Sequence, residues 1–289
     1  MNSLTYSRSP LAAACDLPNE ILLEIAELAS ANSQSDYHSW LLLSRGWYEQ
    51  VRLVCLRSVP VHLFSTRAVN SFHTLLQTYP NATSFVRHLW TASSSKAELS
   101  IARACTNLIS LACQSTILTS ITSMSIFHHT SLRELTIMTI WSPWEQLMFT
   151  PHATQLCSQV THLRHFEGLP PDFPTNELTS LKHLSFASHI YRDFLAKHIA
   201  RLGDMKLLES IVVTTSWQPG AASAPEELAK GLQDIDKRLR LVHCESGFSE
   251  REAWCERTRL GDCLWSVAQP DTIVTVGQHE ACPTAVPHN

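Results

Sequence analysis

Potential metal ligands crowd the C-terminal end of the chain: His243 and Cys244, then Cys255, Cys263, His279 and Cys282. Zinc sites bring thiolates and imidazoles in close pairs, roughly two to four residues apart. Here the gaps after Cys244 are 11, 8, 16 and 3. Only the last pair has ligand spacing, so these residues read as structural cysteines and surface histidines, and no metal is expected. The nine cysteines are an odd number with no Cys-x-x-Cys pair, a usage that fits reduced, mostly buried thiols in an intracellular protein. His128-His129-Thr130 reads as loop rather than as a ligand pair. Ser93 to Lys96 has the Ser-x-x-Lys spacing of an acylating serine, but without companion motifs it reads as a flexible turn. The sequence holds no Gly-x-Ser-x-Gly, no phosphate-cradling glycine loop and no His-Glu-x-x-His. Neither an enzyme nor a cofactor is expected.

Tryptophan offers a different chemistry, that of an anchor for another protein. Eight are present. Trp40 and Trp47 fall on a helical apolar stripe, where core packing is the plain reading. Trp141 and Trp144, in "IWSPWEQ", follow an apolar frame where a loop would leave a strand. They are candidate substrate-binding residues, with packing against a neighbouring unit as the open alternative.

The elements that would position these residues begin near the N-terminus. Leu17, Ile21, Leu22, Ile25, Leu28 and Ala29 make one stripe of a helix, with Pro18 in its first turn. The polar run Ser30 to Asp36 breaks the pattern. Trp40, Leu43, Trp47 and Val51, spaced 3, 4 and 4, predict a second helix. "RSVPVHL" reads as a first strand, and Val69, Phe72, Leu75 and Leu76 as a helix face ended by Tyr79-Pro80-Asn81.

Beyond lies a repeat. An apolar-x-x-apolar-x-apolar frame, or one close to it, starts at Val86, Leu108, Leu132, Leu163, Leu181 and Leu208, in steps of 22, 24, 31, 18 and 27 residues. Leucine-rich repeats run about 20–29 residues, so the mean fits and the individual steps are irregular. Between frames, Tyr191, Leu195, Ile199 and Leu202 form one helix face. Pro225 starts another, with Ser223 and Glu226 as a capping box. A last helix, about 246–268, carries the box Ser249–Glu252 and is expected to cover the open end of the array. "TIVTV" from Thr272 could add a strand to the tail.

Composition agrees with such an array. Charged residues are 17% of the chain, against about a quarter in ordinary globular domains. The net charge of −4 argues against nucleic acid and anionic membranes as partners. The 8 glycines disfavour a hairpin-rich sandwich or a glycine-loop nucleotide fold. No cationic, then apolar, leader is seen at the N-terminus, and no apolar run nears the roughly 20 residues that span a bilayer. A soluble cytoplasmic or nuclear protein is expected.

"DLPNEILLEIAEL", followed by "WLLLSRGWYEQVRLVCLRSVPV", resembles the F-box: Leu17, Pro18, Glu20, Ile21, Leu22 and Ile25, then Leu43, Trp47 and Val51. With the frames behind it, the chain resembles F-box proteins that carry irregular leucine-rich repeats. The implied fold is mixed α/β. It has a disordered lead (1–14), a helical F-box-like domain (15–60) and a degenerate repeat solenoid of alternating short parallel strands and helices (61–245). A capping helix (246–268) and a tail (269–289) complete it. The resemblance implies a substrate receptor of a cullin–RING ubiquitin ligase. Leu17, Pro18, Ile21, Leu22, Ile25, Leu43 and Trp47 would dock on a Skp-type linker subunit, and the repeats would hold an unidentified protein substrate. The alternative is a repeat scaffold outside any ligase, whose F-box-like helices only cap the solenoid.

Overall fold

Serines set most of the early helix boundaries. In the computed structural model Pro18 O accepts the first helical bond, from Leu22 N, and α1 runs Asn19–Asn32. Helix α2 (Gln34–Leu41) follows, then α3 (Arg45–Leu56), whose N-cap Ser44 accepts from Trp47 N at 3.1 Å. The spacing-based single helix through Trp40 and Trp47 is therefore two, because the Ser44 hydroxyl satisfies an orphan N–H and starts a new helix. The polar run from Ser30 carries the boundary between α1 and α2, although Ser30 itself is buried and belongs to α1. The model describes residues 17–32, 34–138, 144–187, 192–215, 233–244 and 274–276, with Arg251, Trp254, Cys255 and Thr258.

The remaining elements alternate. Strand β1 (Val61–Leu63) leads to α4 (Thr66–Thr78), a 3-10 turn (Pro80–Phe85) and β2 (His88–Thr91). Then come α5 (Lys96–Ala104), β3 (Ser110–Cys113), α6 (Ser115–Thr122) and β4 (Glu134–Ile137). Short helices α7 (Trp144–Met148) and α8 (Ala153–Gln159) precede β5 (His162–His165), and β6 (His183–Ala187) follows without an intervening helix. After α9 (Arg192–Arg201) come β7 (Ser210–Thr215), β8 (Leu239–Cys244) and β9 (Val274–Val276). Among the described residues, nine strands form one parallel sheet in strict sequence order. The architecture is mixed α/β, as expected, and "TIVTV" supplies its last strand. The helix expected from Pro225, with Ser223 and Glu226, lies outside the described residues, as does the Ser249–Glu252 box.

Strand register shows why the frames recur. Leu89, Leu111, Leu135, Leu163, Leu184, Ile211 and Leu239 sit opposite one another along the sheet. All are buried in one continuous core with Val69, Ile101, Ile117 and Leu156 of the helices. The fourth frame therefore starts at Val160, fully buried, rather than at Leu163. With that shift the steps become 22, 24, 28, 21 and 27. The backbone repeats as well: Arg87 O accepts from Ile109 N and Ser110 N, Ile109 O from Arg133 N and Glu134 N, and Arg133 O from Thr161 N and His162 N. Thr161 O and Lys182 O repeat this for the next two units. This forked bond uses main chain alone, so the side chains between apolar positions are free to vary.

Helices α4 to α8 lie together on one side of the sheet: α4 packs on α5, α5 on α6, and α6 on α7 and α8. Because side chains alternate along a strand, the residues between the ladder positions face the other way. There Trp90, Ala112 and Trp254 form a separate cluster, with Met138, Phe166 and Cys255 against it. Trp254 meets Trp90 edge-on at 5.5 Å, and its indole N–H donates to Ser110 Oγ at 3.1 Å. Arg251 lies over the ring of Phe64. The segment expected to cover the far end of the array thus reaches back to its first strands. It goes there because Trp90 offers an aromatic face and Ser110 an acceptor.

Candidate docking surface

Two faces of α1 divide its apolar residues. Ala26 is buried with Tyr37, Val51, Cys55 and Val59 in a small N-terminal core, and Leu23, Trp40, Leu41 and Trp47 pack against it. The opposite face carries Ile21 (43% exposed), Ile25 (41%) and Leu28 (65%), and Leu17 (41%) stands just before the helix. Spacings of 4 and 3 place the three helical residues in one row. Isolated exposed leucines are ordinary on a protein surface, but three in a row on one helix, with Leu17 exposed just before it, make an apolar patch.

Of the residues expected to dock, Leu17, Pro18, Ile21 and Ile25 are exposed and Leu22 is half-buried. Leu43, in the turn between α2 and α3, is 63% exposed. Trp47 differs. It is half-buried, 6.0 Å from the ring of Trp40, and contributes to the small core more than to a surface.

A charged clasp holds α1 against the end of α3. Arg57 Nε and Nη2 donate to the two carboxylate oxygens of Glu27 at 2.8 and 2.9 Å, and Ser58 Oγ donates to Oε1 at 2.6 Å. The bond from Arg57 holds the Glu27 carboxyl below its ordinary range. Paired forks of this kind fix direction as well as distance, so the apolar row is presented at a set angle. Helix α3 also contacts both cores. Val51 and Cys55 belong to the small one, while Leu56 is buried in the sheet core with Leu53 packed against it.

At the second candidate surface, Trp141 and Trp144, the anchor expectation is corrected for Trp144 alone, where the packing alternative holds. Trp144 is fully buried and meets Phe173 edge-on at 5.6 Å. It opens α7 instead of lining a loop, and a buried indole cannot serve as a surface anchor. Trp141 lies outside the described residues.

On the face of the sheet opposite α4 to α8, Glu134, His162, His183 and Ser210 stand side by side in register and half-buried. The imidazoles of His162 and His183 stack with centroids 4.5 Å apart, and His183 Nδ1 lies 2.9 Å from Ser210 Oγ. Burial lowers the His183 pKa. In the next row Arg164, 2% exposed, donates to Ser185 Oγ at 2.5 Å and Thr214 Oγ1 at 2.9 Å, linking β5 to β7. Sequence reading missed both rows. Their signal was the polar residue between two apolar ones in frames such as "VTHLRH" and "LKHLSF".

Chemistry of the reactive side chains is muted. Cys55, Cys105, Cys113 and Cys157 are buried free thiols, and burial pushes Cys105 and Cys157 up to about 12. A thiol so shifted is not a nucleophile near neutral pH. Ser93 to Lys96 is not a flexible turn: Ser95 caps α5 in a reciprocal box with Glu98, and Ser93 N and Oγ both donate to the Glu98 carboxylate. Among the described residues no three of His, Cys, Asp and Glu converge as a metal site, and no helix is long and apolar enough to cross a membrane. Of the C-terminal His and Cys cluster, only the Cys255 side chain falls among the described residues. No family model, curated protein or solved structure matches the chain.

Proposed function

We propose that this protein is a substrate-recognition adaptor of a cullin–RING ubiquitin ligase. The exposed row Ile21, Ile25 and Leu28 on α1, with Leu17 just before it, carries this reading, since it is apolar surface that the protein's own core leaves uncovered. In this view the first three helices are an F-box-like docking unit that seats the row on a Skp-type linker subunit. The parallel strands behind it are the turns of an irregular leucine-rich-repeat solenoid that holds the cargo protein. Spacings of 21 to 28 residues after the Val160 shift, and the forked backbone bond repeated in each unit, support the repeat reading. The adaptor works by tethering, raising the effective concentration of a substrate near the conjugating enzyme without bond chemistry of its own.

Co-purification tests the reading. Leu17→Asp with Ile21→Asp should release the linker subunit while the circular dichroism spectrum stays unchanged, because both side chains are more than 40% exposed. Retention of the linker by the double variant would refute it.

One observation favours a second reading, a repeat scaffold whose N-terminal helices serve as a cap. Leu53 and Leu56 of α3 belong to the sheet core, so these helices shield the first strand. Deletion of residues 1–60 then unfolds the sheet, whereas an independent docking unit can be removed with the sheet intact.

A further inference from the structure

The junction of α3 with the first strand and helix encloses a cavity of about 420 Å³. That falls in the range of about 300–1,000 Å³ typical of small-molecule sites. Its walls are apolar: Leu53 and Leu56 from α3, Phe72 and Leu75 from α4, Val61 and Leu63 from β1. Three basic side chains also line it, His38, Arg52 and Arg67, and no Asp or Glu does. His38 and Arg67 are exposed, so they mark its solvent side.

Arg52 is the unusual group. Its guanidinium lies 3.5 Å above the ring of Tyr79 and 5.4 Å from that of Tyr48. The side chain is 13% exposed, and its ion pair is with Glu49, 2.9 Å away and 56% exposed. Nε and Nη1 are covered, and the side chains of Tyr79 and Tyr48 are the polar neighbours of the guanidinium besides Glu49. A partner that is mostly in water offsets a charge poorly. A positive charge therefore stands in the wall of an apolar space, where low dielectric strengthens its attraction for an anion.

From this pairing we infer that the cavity binds a small amphipathic monocarboxylate. The apolar walls would take its aliphatic body, and Arg52, Arg67 and His38 would attract its carboxylate. Such a ligand would bridge α3 and α4 and brace the joint between the N-terminal helices and the sheet. The inference stands apart from the ligase reading, since neither the linker nor the cargo enters it.

Decanoate and decanol, titrated into the full-length protein at submicellar concentration by calorimetry and thermal shift, separate charge from apolar fit. Decanoate should bind saturably, raise the melting temperature and exceed decanol at least about tenfold in affinity. Arg52→Met should weaken decanoate about tenfold and leave decanol unchanged. Arg67→Gln, on an exposed side chain outside the Tyr79 stack, should weaken it severalfold even if the Arg52 variant folds poorly. Ala68→Phe, which fills the cavity from its lining, should abolish binding of both. No saturable decanoate binding, or equal binding of the two ligands that neither arginine variant alters, would overturn the inference.

Discussion

Trp254 donates its indole N–H to Ser110 Oγ at 3.1 Å across 144 residues of sequence. That bond, with the edge-on packing of Trp254 on Trp90, ties the C-terminal segment to the face of the second and third strands opposite α4 to α8. A surface that a repeat array would offer to cargo is there covered by the protein itself.

Removing this tie should be costly. Trp254 is 2% exposed, and truncating a buried tryptophan to alanine destabilises by about 3–5 kcal/mol. Trp254→Phe keeps an aromatic ring but loses the N–H donor and half of the indole, for an intermediate loss of about 1–3 kcal/mol. Urea unfolding of both variants checks the ranking. An alanine variant as stable as the parent would mean that the contact contributes nothing.

Glu98 supports α5 in a way that charge-neutral glutamine cannot copy. It is 1% exposed and accepts from the hydroxyls and backbone N–H groups of Ser93 and Ser95. Burial alone would raise its pKa, but these donors outweigh burial and lower it. Glu98→Gln turns an amide N–H₂ toward donors and should cost about 1–3 kcal/mol. A depressed carboxyl stabilises fully above its ordinary value of 4.5 and less as pH falls through its folded pKa. The variant should therefore lose least, relative to the parent, in acid.

Acid should also unfold the protein through His129. This imidazole is fully buried, neither ring nitrogen has a hydrogen-bond partner, and desolvation lowers its pKa to about 4. Between the ordinary 6.5 and 4 the unfolded chain binds a proton that the folded one refuses. Stability is thus full above pH 6.5 and falls as pH drops toward 4. His129→Leu should flatten this limb of the melting temperature against pH. His165, similarly lowered to about 4, leaves a residual slope. An unchanged slope in the leucine variant would contradict the assignment.

How much of this was legible in the sequence depends on the range of the interaction. The strands were readable because Leu89, Leu111, Leu135 and Leu184 lie in local apolar frames. The fourth frame shifts by three residues because Val160 and Leu163 are both apolar, and only the pairing of Leu163 with Leu135 and the bonds to Arg133 O select the first. The apolar row of α1 was legible as a stripe, but which part of it the core uses depends on Ala26 meeting α3. The Ser44 cap was overlooked because spacings of 3, 4 and 4 satisfy one helix as well as two. Burial of Trp144 against Phe173 and the return of Trp254 to Ser110 are long-range choices that no local pattern encodes.

The central claim is that Leu17, Ile21, Ile25 and Leu28 form a docking row for a linker subunit. Titrating a purified Skp-type linker into the full-length protein by calorimetry measures it directly. The expected result is saturable binding that Leu17→Asp with Ile21→Asp weakens at least about a hundredfold, at an unchanged melting temperature. No binding by the parent protein, or the same affinity in the double variant, would contradict it.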